Sequence, residues 1–272
     1  MVLYSSFISI FLIFCLTVIH HSHVLLTKMT NDFTEKNRQV FDKQARTYKT
    51  EFAKGVETLV NVAKTQRTWV SDAWIDTKTG EGKDIKILEY ACGPGHISLA
   101  LAPFVSRVIG MDISDGMIEE FNKNAQQAGC SDTVVGIKAN LLAESPPAEV
   151  SGPEYFDFDL VVVSMAVHHF QYPAKALQRL GERLKKGGVM MIIDLVSDEH
   201  HHDSKHELQH EMDVLETISK HGFDREETRR MFEDANAGDG FEYKVIEEPL
   251  VFHKKGKTYH MTIFIARGQA SL

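Results

Sequence analysis

Three places in this sequence carry residues that could do chemistry. In Lys86 to Ala102, KILEYACGPGHISLALA, an apolar run reaches Glu89 and Tyr90 and gives way to Ala91, Cys92, Gly93, Pro94 and Gly95. Missing side chains let backbone N–H groups come close to a ligand. Glu89, just before the loop, can meet a cation. The second place is Asp112, at the end of RVIGMD. A carboxylate at the tip of a second strand accepts hydrogen bonds from ribose hydroxyls. Its other use would be to cap the helix DGMIEEFNKNA, but Ser114 is the better cap residue. A dinucleotide fingerprint, G-x-G-x-x-G, would need glycine where Ser98 stands, and a pyrophosphate has no use for Glu89. One acid for an amine, one for a ribose and no third glycine describe S-adenosylmethionine rather than NAD. The third place is SMAVHHF, with His168 and His169. A histidine there can act as a general base at neutral pH, or it can only pack and hydrogen-bond.

These groups need a scaffold, and the patterning supplies one. Residues 31 to 74 read as helical, with Phe33, Phe41, Ala45, Tyr48 and Phe52 on one apolar face, continued by Val56, Leu59, Val60 and Ala63. DTKTGEGKD is a polar loop. Strand-like and helix-like segments then alternate: IKILEY with HISLALAPF, RVIGMDI with DGMIEEFNKNAQQAG, TVVGIKA with a proline loop, FDLVVVSMAV with PAKALQRLGERLKKGG, and finally VMMIIDLV. The strands are continuous apolar runs, which predicts a parallel sheet covered by helices on both faces. Right-handed crossovers make that an open, doubly wound α/β sheet. Beyond residue 205, KHELQHEMDVLETISK and REETRRMFEDANA read as helices, and FEYKVIEEPLVF and YHMTIFIARG as two strands.

From about Phe41 to Gly268 the chain resembles the class I S-adenosylmethionine-dependent methyltransferases, in particular the small-molecule branch that includes ubiquinone-biosynthesis enzymes. ILEYACGPG resembles the family's first motif, with Glu89 for the usual Asp and Ala91 for the usual first Gly. GMDIS matches the acidic end of strand two. KANLL occupies the end of strand three, where Asn140 stands in place of an Asp beside the adenine. FDKQARTY resembles the N-terminal lid helix, with Tyr48 facing the methionine end. The resemblance implies a Rossmann-like, mostly parallel seven-stranded sheet. It also implies cofactor contacts from Tyr48, Glu89, Ala91, Cys92, Gly93, Gly95, Asp112, Ile113, Asn140, Leu141 and Ser164. Its acceptor would be a small organic molecule. A protein side chain, or no catalysis at all in a methyltransferase-like binding subunit, are the alternatives. Residues 29–82 would form the lid and 83–272 the cofactor-binding core.

A net charge of −8 argues against nucleic acid as partner. Cys15, Cys92 and Cys130 are too few and too scattered for a disulfide framework or a zinc site, which suits a reducing compartment. His202, His206 and His210 share a helical spacing, but their polar surroundings read as a solvated face, and no metal is expected. Residues 1–28 stand apart. The uncharged apolar run from Val2 to Ile19 has about the length of a membrane span, with the first basic residues after it. Either it anchors a cytoplasmic enzyme, or translation starts at Met29 and the enzyme is soluble.

Overall fold

The computed structural model describes residues 33–197, 216–254 and 257–272. The apolar run 2–19, His202, His206 and His210, and most of the helix expected after residue 205 lie outside the described residues. Among the described residues, no helix is long and apolar enough to cross a membrane.

The apolar run IKILEY supplies the first strand of the sheet. Its β1 (Lys86–Tyr90) is flanked in parallel by β2 (Arg107–Asp112) and β4 (Phe158–Ser164). Glu89 is in register with Gly110 of β2 and Val162 of β4. β3 (Val134–Lys138) and β5 (Leu184–Leu195) extend the parallel set on either side. The seven-stranded order is β3-β2-β1-β4-β5-β9-β6, in which β9 (Ile263–Gln269) is antiparallel to both β5 and β6 (Asp239–Val245). This is the doubly wound α/β sheet expected. The switch in strand order falls between β1 and β4, so the carboxyl ends of those strands open onto a crevice.

Helices cover both faces. One core gathers Phe158, Leu177, Leu180, Phe232 and Phe264 under α6 (Pro173–Gly181) and α7 (Arg225–Asp234). The other gathers Val62, Ala63, Trp74, Leu101, Phe121 and Ile265 under α3 (Ala53–Val70), α4 (His96–Leu101) and α5 (Asp115–Gln127). The side chain of Phe121 reaches the sheet because three glycines make room. A Cβ added at Gly95, Gly110 or Gly136 would lie 2.6, 2.4 or 2.7 Å from its ring.

Two expectations need correction. The helical stretch 31–74 is three helices: α1 over residues 33–44, α2 (Tyr48–Glu51) and α3. The apolar face continues across the breaks, so periodicity alone did not reveal them. FEYKVIEEPLVF and YHMTIFIARG are each two strands rather than one. The extra pair, β7 (Leu250–Lys254) and β8 (Lys257–Met261), forms an antiparallel hairpin outside the main sheet. It packs against α3, where Gly55 admits Leu250: a Cβ there would be 3.3 Å from a Leu250 methyl.

The packing of Phe121 yields a paired prediction. Phe121→Ala should cost about 3–5 kcal/mol through the cavity it leaves. Gly110→Ala should cost about 1–3 kcal/mol through overpacking. Because the smaller side chain relieves the clash, the double variant should lose less than the sum in chemical denaturation. Strict additivity would show that the two do not share one packing site.

Candidate functional site

The loop after β1 turns sharply, with φ +53° at Ala91, +50° at Gly93 and +82° at Gly95. Left-handed backbone suits glycine; at Ala91 it costs on the order of 1–2 kcal/mol. Met165, just past β4, is held at φ +53° as well. Such strain collects at functional sites. A Cβ on Gly93 would meet only the Met117 Sδ, 3.9 Å away, so the loop is bare toward a cavity.

Asp112 braces this loop. One carboxylate oxygen accepts from Gly93 N–H and the other from Ser114 N–H, both at 2.9 Å. Ser114 caps α5 by accepting from Met117 N–H at 3.1 Å. The Glu89 carboxylate accepts from the backbone N–H of Ser98 at 2.8 Å and from its hydroxyl. Ser98 therefore orients the acid, a role sequence reasoning missed. Its only signal was its place where a dinucleotide site would have its third glycine. Burial pushes Glu89 up to about 7 against the Ser98 bonds, and the Asp112 charge adds to the rise. Burial raises Asp112 too. Two buried acids side by side make a site that favours a cation.

Helix α1 is tied across the loop at two points. Asn37 on α1 donates to the carbonyl of His169 at 3.1 Å. Asp42 accepts from the Ser114 hydroxyl and, at 3.0 Å, from Gly116 N–H. Tyr48 on α2 stands over the cavity beside His96, with ring centroids 6.3 Å apart. Burial, with the charges of Asp112 and Glu89, pushes its phenol up to about 12.

The histidine pair sits in a short turn after β4, with ring centroids 4.1 Å apart. His168 Nδ1 lies 2.6 Å from a carboxylate oxygen of Asp194 on β5, and both residues are buried. Asp194 is itself fixed by Val167 N–H at 2.9 Å and Leu195 N–H at 2.7 Å. Nδ1–H donates to the carboxylate, which leaves the lone pair on Nε2. His169 Nδ1 lies 3.0 Å from the Thr217 carbonyl. Burial, with the neighbouring His168, holds His169 well below the ordinary histidine range, so it stays neutral.

Tyr48, Glu89, Ala91, Cys92, Gly93, Asp112, Ile113, Ser164 and His169 line one cavity. The Ser164 hydroxyl is buried there without a hydrogen-bond partner. His168 lines an adjoining cavity, which shares Phe41, Tyr48, Val56, Leu59, Met165 and His169 with the first. Three expected contacts are not on the first cavity's wall. Gly95 serves packing against Phe121. Asn140 turns its side-chain oxygen to accept from Leu142 N–H at 3.0 Å. Leu141 is buried in the core. Asn37, Asp42, Ser98 and Asp194 are among the site residues that sequence reasoning did not find.

A family model described as a methyltransferase domain matches residues 60–238. The uncharacterized methyltransferase YcgJ of Bacillus subtilis is 27% identical over 161 residues, 58% of this chain and 54% of its own. A ubiquinone biosynthesis O-methyltransferase of Leptothrix cholodnii is 28% identical over 116 residues, 42% of this chain and 46% of its own. The chain thus spans about half the length of these relatives. Among solved structures, a SAM-dependent methyltransferase from Thermotoga maritima, described as a possible histamine N-methyltransferase, superposes with a TM-score of 0.57. It is 16% identical, over 86% of this chain and 99% of that one, a likeness of fold.

Glu89 makes stability depend on pH. The native state holds its proton more tightly than the unfolded chain, so its contribution falls as pH rises from 4.5 to about 7. Glu89→Gln should therefore gain on the wild type by on the order of 1–3 kcal/mol between pH 5 and pH 8. Scanning calorimetry of both proteins across that range measures it; a constant difference would mean Glu89 is not a buried, proton-holding acid.

Proposed function

The chain belongs to the methyltransferase domain family, and from that premise we propose that it transfers a methyl group from S-adenosylmethionine to a small organic molecule. One observation carries the reading: two buried carboxylates, at the tips of adjacent strands, flank a bare loop in a cavity that adjoins a second one lined by a histidine. The residues fit the cofactor. Glu89 is a buried acid whose neighbours are Ser98 and another acid, and the methionine ammonium supplies the missing positive charge. The Asp112 oxygens each keep a lone pair for ribose hydroxyls after accepting one backbone N–H. The unpaired Ser164 hydroxyl and the open space over Gly93 give a ligand a hydrogen-bond partner and room there.

When bound, S-adenosylmethionine supplies a methyl group already activated by its sulfonium. The chain's own residues then have two tasks. The lid, latched through Asn37 and Asp42, excludes water and aligns the acceptor; alignment is a large part of catalysis in such transfers. His168 removes the acceptor's proton through Nε2. Asp194 holds the ring in the required tautomer and stabilises the imidazolium that forms, as a carboxylate does in hydrolase triads. His169, neutral and tied to Thr217, shapes the wall.

Asp112→Ala should weaken S-adenosylmethionine binding by on the order of 1–3 kcal/mol in calorimetry, the loss for hydrogen bonds to a charged group. Unchanged affinity would remove Asp112 from the ribose.

His168→Asn should lower kcat about 10²–10⁴-fold, with S-adenosylhomocysteine affinity unchanged. Asp194→Asn should lower kcat less, because the amide still holds the ring but no longer offers an anion to the imidazolium. A fully active His168→Asn variant would leave the cofactor site standing and the base unassigned.

A further inference from the structure

The cavity beyond the loop is roofed by the β7–β8 hairpin. It lies between that hairpin, the lid helices and the turn that carries the histidine pair. Phe52, Val56, Leu59, Leu250, Phe252 and Met261 make its wall apolar. Phe252 leans on Phe52, with ring centroids 6.2 Å apart, and stacks on Tyr259 at 5.0 Å. Among the described residues, the titratable groups on the wall are Tyr48, His168 and His169; no Lys, Arg, Asp or Glu reaches it. One polar atom stands out: Gln44 lines the cavity, and its side-chain carbonyl oxygen is buried without a hydrogen-bond partner. A buried acceptor left unpaired is costly, so its place is explained by a donor brought by a ligand.

Resting on the methyltransferase reading above, we infer that the hairpin cavity is the acceptor site and takes an uncharged, flat, largely apolar molecule bearing a hydroxyl group. Four aromatic residues on the wall, Phe41, Tyr48, Phe52 and Phe252, favour a ring. Among the described residues the wall has no cationic or carboxylate side chain to pair with amino acids, amines or phosphate or sulfonate anions, which would be desolvated there without a partner. Gln44 recognises the hydroxyl as donor in the ground state. In the transfer, the hydroxyl proton goes to Nε2 of His168. The acceptor oxygen forms the new O–C bond, and the electron pair of the broken C–S bond stays on sulfur. The products are a methyl ether and S-adenosylhomocysteine.

The test is calorimetry on the full chain, first with S-adenosylhomocysteine, then, with that bound, with 2-naphthol, naphthalene-2-sulfonate and histamine as probes. The expected result is that 2-naphthol binds, and that the sulfonate and histamine bind at least tenfold more weakly. Phe252→Ala should weaken 2-naphthol at least tenfold and leave S-adenosylhomocysteine untouched. Gln44→Leu should weaken 2-naphthol severalfold but not its methyl ether, which has no donor. Absent 2-naphthol binding, equal binding of the charged probes, or indifference to both substitutions would overturn the assignment. Failure of S-adenosylhomocysteine itself to bind the wild type would instead overturn the methyltransferase reading.

Discussion

The ring of Phe121 lies where Gly95, Gly110 and Gly136 present no Cβ, so α5 settles directly onto β2, β3 and the loop after β1. Dense interiors transmit small displacements rather than absorbing them. The height of α5 over the sheet sets the position of Ser114 at its N-terminus, and Ser114 joins Asp112 to α1 through Asp42. One aromatic contact thus fixes the loop, the second acid and the latch of α1 relative to one another. A bulkier residue at any of the three glycines would shift all of them together.

Within that frame, the site works against its own electrostatics. Glu89 and Asp112 are buried, and each oxygen that the structure satisfies is satisfied by a backbone N–H or a serine hydroxyl, not by a cation. Ala91 and Met165, at the ends of neighbouring strands, add left-handed backbone. Stability given up at these positions is recovered in the two apolar cores, and it is returned locally when a positively charged ligand arrives. That arrangement separates holding the protein together from holding the ligand.

Much of this was legible from residues alone. Continuous apolar runs such as KILEY and FDLVVVS announced buried parallel strands, and the acids that end or follow such runs were conspicuous because interior strands rarely carry them. For the same reason Asp194, inside VMMIIDLV, was a readable signal that went unused. Asn37 and Asp42 were not readable. Polar residues on an amphipathic helix look like its wet face, and their partners, His169 and Ser114, lie far away along the chain. The hairpin was hidden by its own composition: FEYKVIEEPLVF stays strand-like on both sides of Pro249, so pattern could not say that the chain leaves the sheet there and comes back.

That return has a consequence for how the molecule is made. Among the described residues β6 pairs with β9 alone, and β9 also supplies the second neighbour of β5. During synthesis β6 emerges first, then the hairpin, whose contacts are local and close quickly. Until β9 follows, the flank of β5 is an open edge of buried-type residues such as Met191 and Ile193. Open edges of this kind invite pairing with other chains. Until β9 is in place, the parallel part of the sheet therefore ends on that open flank. Slow translation through residues 246–262 would lengthen that interval.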